Sequence, residues 1–222
     1  MLSTNIFSPV EHRTAKGAER IENLIAAASE LFLEHGFDMV SVDDIIARVG
    51  GSRRNVYSHF GGKEGLFRAA MFHVANEMSR PLDEIKIEGL HAREVLPLFG
   101  RQLVQTALSA RTLAVHRLLT NEGRRFPEIA QSMLGSSYLK ILNRLADWIG
   151  SQQSNADSEL ANYLPANVLA EQFMSLTSSH VKLRAIVGLV QLPLSDAELE
   201  SIVHHAVYTF LHGARKRSED HP

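Results

Sequence analysis

The stretch from Val42 to Phe67, VDDIIARVGGSRRNVYSHFGGKEGLF, is cut twice by paired glycines, Gly50-Gly51 and Gly61-Gly62. That spacing leaves room for only two short helices before a third begins. Ser41 stands immediately before an apolar-periodic segment (Val42, Ile45, Ile46, Val49), with Asp44 three residues on, the pattern of a capping box. Gly50 and Gly51 follow where a helix must end at positive φ, which glycine reaches without steric cost. Ser52 then caps a second short helix. Its apolar residues, Val56 and Phe60, lie four apart and leave Arg53, Arg54, Asn55, Ser58 and His59 on other faces. Gly61 and Gly62 end it, and Lys63 opens the next helix with Leu66 and Phe67 inward.

Two short helices joined by a glycine turn, the second presenting hydrogen-bond donors, make a helix-turn-helix fit for the DNA major groove. Arginine bonds bidentately to guanine and asparagine to adenine, so Arg53 and Arg54 are the expected base readers, with Asn55 beside them. Ser41, Tyr57, His59 and Lys63 are expected to hold the phosphate backbone, with Ser52 and Ser58 in the same surface. The local charge agrees. From Ile45 to Arg68 there are five cations (Arg48, Arg53, Arg54, Lys63, Arg68) and one anion (Glu64), net +4. The chain as a whole is at −2, so attraction for DNA must rest on that patch. By pattern alone, a glycine-rich linker between two amphipathic helices with solvated arginines remains open.

The same stretch resembles the DNA-binding segment of the TetR family of bacterial regulators, whose usual run is Ala-Gly-Val-Ser-x-x-Thr-(Leu/Ile)-Tyr-x-(His/Tyr)-Phe-x-x-Lys-Glu-x-Leu. The match falls at Gly50, Ser52, Tyr57, His59, Phe60, Lys63, Glu64 and Leu66. Asn55 departs from the usual threonine, Gly51 from valine, and Gly65 from a better helix former. Gly51 is therefore expected to loosen the turn and Gly65 the following helix. The resemblance extends over the preceding helix, Arg20 to His35, where Ile21, Leu24, Ile25, Ala28, Leu31 and Phe32 keep three-four spacing before Gly36 and Phe37. A shorter resemblance, to the ligand domain of the AefR-like branch, is carried by His116-Arg117-Leu118-Leu119-x-x-Glu122 and by Arg125-Phe126-Pro127-Glu128-Ile129.

Residues 1–16 lack a helical period and read as an N-terminal arm whose Arg13 and Lys16 reach DNA or are merely solvated. Residues 17–65 form the helix-turn-helix domain, 66–214 a helical ligand-binding and dimerisation domain, and 215–222 a tail. Leu66 to Met78 reads as a helix ending before Pro81, and Pro81 to Leu90 as a connection. Further helices are expected over Ala92 to Ser109, with a kink or late start at Pro97 and Gly100, and over Thr112 to Glu122. The rest fall at Phe126 to Gln153, Pro165 to Val190 and Ser195 to His212, with a loop over Ser151 to Glu159. No alternating run argues for a strand, so the expected fold class is all-α.

Along the last two helices Leu169, Phe173, Leu176, His180, Leu183 and Val187 recur every three to four residues, as do Ile202, Ala206 and Phe210. Stripes of this kind either face the intrachain core or build a four-helix interface with a second copy. The resemblance implies the homodimer, for which Leu176, Leu183, Val187, Ile202, Ala206 and Phe210 are the interface candidates. Candidates for a pocket between bundle helices are Phe99, His116, Met133, Trp148, Phe173, Met174 and His180, each of which also suits plain core or interface.

Cysteine is absent, which excludes disulfides and thiolate chemistry. Neither a phosphate loop nor a Gly-x-Ser-x-Gly elbow occurs, and the histidines lack zinc-helix spacing, so neither enzyme, cofactor nor metal is expected. There is no signal peptide and no apolar run of membrane-spanning length, which points to a cytoplasmic protein without a membrane partner. The resemblance implies a repressor binding a palindromic double-stranded DNA operator. A small, largely apolar effector would then favour a form whose readers are too far apart for successive major grooves, about 34 Å centre to centre. An activator or ligand-independent regulator of the same fold is the alternative, and a helical carrier or enzyme a more distant one.

Overall fold

The computed structural model describes residues 15–87, 91–155, 160 and 162–213. Of the expected arm over 1–16, residues 1–14 with Arg13 lie outside them, as do residue 214 and the expected tail over 215–222, whereas residues 15 and 16 begin the first helix. Every regular element among the described residues is helical. The chain divides into two compact units between Val74 and Ala75, nine residues beyond the expected boundary at 65/66. The reason is burial: Leu66, Phe67, Ala70 and Met71 are all sealed into the core of the first unit.

That first unit comprises α1 (Ala15–Met39), α2 (Val42–Val49), α3 (Arg53–Phe60) and the beginning of α4 (Lys63–Asp83). Within α1 the helix breaks at Gly36, at φ 80° and ψ 172°. The break sends Phe37 back against Phe32, with ring centroids 5.9 Å apart, and both rings stand 5.0 Å from Phe67. This aromatic trio, with Leu24, Ala28, Ile45 and Val56, is the core that holds α2 and α3 in place. Ser29, fully buried, donates its hydroxyl to the carbonyls of Ile25 at 2.8 Å and Ala70 at 3.2 Å, so its polarity is satisfied between α1 and α4.

The helix α4 does not stop before Pro81, as the sequence suggested, but runs through it to Asp83. Leu82, 1% exposed, is anchored in the core of the second unit, and the Arg144 guanidinium donates to the carbonyls of Leu82 and Ile85. The Asp83 carboxylate meets the Lys140 ammonium at 2.5 Å. These contacts offset the hydrogen bond that proline forgoes.

In the second unit α5 (Ala92–Ala107) continues unbroken through Pro97 and Gly100. Gly100 marks close packing, not a kink: a Cβ there would lie 3.3 Å from Val203 and 3.4 Å from Phe173. The remaining helices are α6 (Ala110–Glu122), α7 (Pro127–Met133), α8 (Lys140–Gln153), α9 (Ala166–Met174), α10 (His180–Ile186) and α11 (Asp196–His212), with α11 packed along α5 and α9 along α8. Pro127 occupies the first turn of α7, where its missing N–H costs nothing, and a Ser195–Glu198 capping box starts α11.

Two π-helical turns, over Leu134–Leu139 and Ser175–Ser179, join α7 to α8 and α9 to α10 without a break. They decide which face is buried. At about 100° per residue, Val181 and Ala185 would stand about 80° and 120° round from Phe173 in a plain α-helix. The π turn absorbs one residue, which returns them to about −20° and +20°. All three are indeed buried. The expected single stripe is thereby split: Leu169 and Phe173 are inside, whereas Leu176, Leu183 and Val187 are 46%, 61% and 59% exposed. The same arithmetic relates buried Met133 to buried Ile141 and Leu145 across the other π turn.

Candidate nucleic-acid interface and effector cavity

The caps of α2 and α3 are formed by the residues the sequence indicated. The Ser41 hydroxyl accepts from the Asp44 N–H at 3.1 Å, while the Ser41 N–H and hydroxyl donate to the Asp44 carboxylate at 2.8 and 2.6 Å. These bonds, the hydroxyl's first and the N–H second, hold the Asp44 carboxyl below its usual pKa. Gly50 and Gly51 lie at φ 77° and 124°, and the Ser52 hydroxyl accepts from the Asn55 N–H at 3.3 Å. Thus α3 begins at Arg53, its start set by the glycine turn and the Ser52 cap.

Side chains of α3 divide by what they touch. The Arg53 Nε donates to the Asp43 carboxylate at 2.6 Å, and its Nη2 also pairs with that group. The tie spans the turn, and the bond to Arg53 pulls the Asp43 pKa down and raises that of the guanidinium. Arg54 is exposed, with no ion pair or hydrogen bond among the described residues. Asn55 is half-buried next to it. The His59 Nδ1 lies 2.9 Å from the Asn55 carbonyl, an acceptor only, so in the neutral ring the proton sits on Nδ1. The Ser58 hydroxyl donates to that same carbonyl at 3.1 Å.

Tyr57 is 59% exposed, and its ring covers Gly62 so closely that a Cβ there would lie 3.4 Å from it. Lys63 is held at the start of α4: its ammonium donates to the Asp38 carbonyl at 3.3 Å and sits 4.3 Å from the centre of the Phe37 ring. Gly65 has a packing reason as well. A Cβ at that position would overlap the carbonyl oxygen of Phe60, so glycine is what permits the close approach.

The second unit holds an apolar cavity of about 420 Å³. Its walls come from α4 through α8, the two π turns, α9 and α10, and of the seven pocket candidates His116, Met133 and Met174 line it. The other four do not. Phe99 and Phe173 are fully buried in the packed core, as is Trp148 at 6% exposure, and His180 is exposed on the opposite side of α10. The π turn at Ser175–Ser179, which divides the stripe, also turns His180 outward. Polar lining residues absent from the sequence-based set include Thr112, Tyr138, Ser178 and Lys182. The signal for Lys182 was its position between Val181 and Ala185, a lone cation on a segment otherwise apolar on that side.

Of the interface candidates, Leu176, Leu183 and Val187 lie on the surface, Ile202 and Phe210 pack partly against the core, and Ala206 is buried inside the chain. Tyr208, 57% exposed, stands on α11 between His204 and His212, with ring centroids 6.4 and 4.8 Å away.

A capped three-helix reader joined to an all-α unit with its own cavity defines a class, the bacterial helix-turn-helix regulators with a separate helical domain. Residues 24–70 match the model for bacterial regulatory proteins of the tetR family, and residues 94–213 the C-terminal domain of AefR-like transcriptional repressors. The chain belongs to the TetR family of transcriptional regulators, and its first unit is the DNA-binding domain. It is similar to the HTH-type transcriptional regulator UidR of Escherichia coli strain K12, 26% identical over 194 residues, covering 86% of this chain and 87% of that protein. The HTH-type transcriptional activator FasR of Mycolicibacterium smegmatis is 39% identical over 62 residues, 28% of each chain. Among solved structures, the Flavonoid-responsive Regulator FrrA superimposes with a TM-score of 0.74 at 28% identity, covering 90% of this chain and all of that one. Homologues and fold alike are those of regulators, not enzymes. Among the described residues no helix is long and apolar enough to cross a membrane.

Proposed function

We propose that the protein is a homodimeric cytoplasmic repressor that binds a palindromic operator and leaves it when a small molecule enters the cavity of the second unit. The observation that carries this reading is the cavity itself: about 420 Å³, largely apolar, with a few convergent polar groups, the form of a small-molecule site. The helix α4 supplies buried residues (Phe67, Met71) to the DNA-binding unit and cavity-lining residues (Met78, Leu82) to the other. An occupant that favours one setting of α4 therefore biases the population of DNA-competent readers. The name of FrrA, a flavonoid-responsive regulator, supports response to a small molecule. FasR, an activator, is similar over 62 residues, 28% of this chain, so repression draws its support from the AefR-like match, which spans residues 94–213.

In this reading Arg54 and Asn55 contact base edges, while Arg53, tied to Asp43, aims α3 and shares the role of reader. Ser41, Ser52, Tyr57, Ser58, His59 and Lys63 surround the phosphates. The exposed row Leu176, Leu183 and Val187, with Tyr208 of α11, is the surface for the second copy. Selection of bound duplexes from a random pool tests the reading. A palindrome is expected, bound by two chains, with affinity reduced by about 1 to 3 kcal/mol per lost base contact in Arg54→Ala. Binding without consensus, or a consensus with a single half-site bound by one chain, would overturn it.

A further inference from the structure

The cavity carries one feature that a purely apolar occupant leaves unanswered. Lys182, half-buried on α10, points into it and has no ion pair or hydrogen bond among the described residues. Neither aspartate nor glutamate appears among the lining residues. Burial pushes the Lys182 pKa down, and burial first and the Lys182 charge second do the same for His116, which lines the cavity from α6. Both bases thus sit where a positive charge is poorly solvated and uncompensated. A neutral occupant would leave that charge as it is, and a cation would add repulsion. Away from Lys182 the walls combine the hydrocarbon and thioether of Leu103, Met133, Leu134 and Ile141 with the hydroxyl residues Thr112 and Tyr138.

We propose that the cavity takes an amphipathic organic anion, its anionic group set against the Lys182 ammonium with His116 beside it, and its apolar body lying among Met133, Leu134 and Ile141. This inference rests on the reading of the cavity as the effector site. The shared chemistry is a singly charged oxygen anion on an apolar frame, and it has two sources, a carboxylic acid or an acidic phenol. A desolvated ammonium-to-oxyanion hydrogen bond favours the charged over the neutral analogue by about ten-fold to a hundred-fold.

The test is calorimetric titration of the full-length protein with two matched pairs: dodecanoate against dodecan-1-ol, and the ionised form of a 4-alkyl-2,6-difluorophenol against its methyl ether. Wild type is expected to prefer the anion of at least one pair by ten-fold or more, and the pair that shows the preference identifies the source. Lys182→Met should erase the preference and leave the affinity for the neutral partner unchanged. Lys182→Gln, which keeps a donor without the charge, serves as the second variant should the methionine disturb folding. Equal affinities within both pairs, a preference that survives in both variants, or no binding by any of the four overturns the proposal. Operator affinity in the presence of the bound anion is a separate measurement. An anion that binds through Lys182 yet leaves operator affinity unchanged supports the anion site and refutes the effector reading.

Discussion

Deleting one residue from the π turn between α9 and α10 should be tolerated, whereas deleting one from α5 should not. In wild type the turn over Ser175–Ser179 consumes one residue more than an α-helix needs, and this is what keeps Val181 and Ala185 on the Phe173 face. Removing exposed Ser179 lets the segment become α-helical with Val181 and Ala185 still within about 20° of Phe173. The core contacts on both sides survive, and only the inward setting of Thr177 and Ser178 is lost, a cost of about 2 kcal/mol or less. In α5, by contrast, no π turn is present to absorb a deletion. Removing Gln102 turns everything beyond it by about 100°, which takes Leu103 and Val104, 6% and 0% exposed, off the core. At about 1.5 to 3 kcal/mol per large side chain, the loss is roughly 3 to 6 kcal/mol out of a typical total of about 5 to 15. Thermal melting followed by circular dichroism reads the difference, since each kcal/mol shifts the midpoint by roughly 2 to 4 °C in a chain of this length. The Ser179 deletion should melt within about 8 °C of wild type and the Gln102 deletion at least about 6 °C below it. A Ser179 deletion that falls as far as the Gln102 deletion would refute the view of the turn as an accommodated extra residue.

Phe67→Ala removes the ring that contacts both Phe32 and Phe37, and it should destabilise the DNA-binding unit by about 3 to 5 kcal/mol in chemical denaturation; a loss under about 1 kcal/mol would show that the trio is not its core. Asp43→Asn releases Arg53 from its ion pair and removes one negative charge from the reader. The salt dependence of DNA binding should therefore steepen by about one unit of slope, and an unchanged slope would mean that Arg53 does not approach phosphate or base. The His116 pKa is depressed below its ordinary 6.5 by burial, so the folded state prefers the neutral ring. Its contribution to stability is present above about pH 6.5 and is lost as pH falls through the folded value. His116→Gln should flatten the melting-temperature profile on that acid side, and an unaltered profile would show the ring to be solvated.

Signals that were local in sequence proved readable. Ser41 with Asp44, Ser52, Gly50 and Gly61 act within three or four residues of themselves, and each forms the cap or turn its type dictates. The burial of Phe37 followed from Gly36 in the same way. What escaped the sequence depends on partners far along the chain. The Arg53–Asp43 pair joins side chains ten positions apart across a turn, and a solvated arginine has the same local pattern. A π turn leaves no compositional mark in SLTSS, and it is stabilised by the burial it permits on both sides. Periodicity at 3.6 therefore joined Leu169 and Phe173 to Leu183 and Val187 on one face, although they lie on opposite ones. Lys182 was overlooked because a lysine on a helix is ordinarily a solvated residue, and only the curvature of the cavity wall makes it otherwise.

The four glycines at positive φ and the Ser52 cap that bound α3 have a further consequence for how such a reader changes its target. The frame is set by backbone geometry before Arg53 and after Phe60, and by Val56 beneath it. None of those supports involves the outward side chain of Arg54 or Ser58. The helix behaves as an interchangeable cassette: its outward positions can be rewritten for a new operator without refolding the domain that displays them, provided that the Arg53–Asp43 tie is kept or replaced as a pair. Lineages and protein engineers alike would then find new specificity close at hand, one or two substitutions away, while the glycines stay fixed.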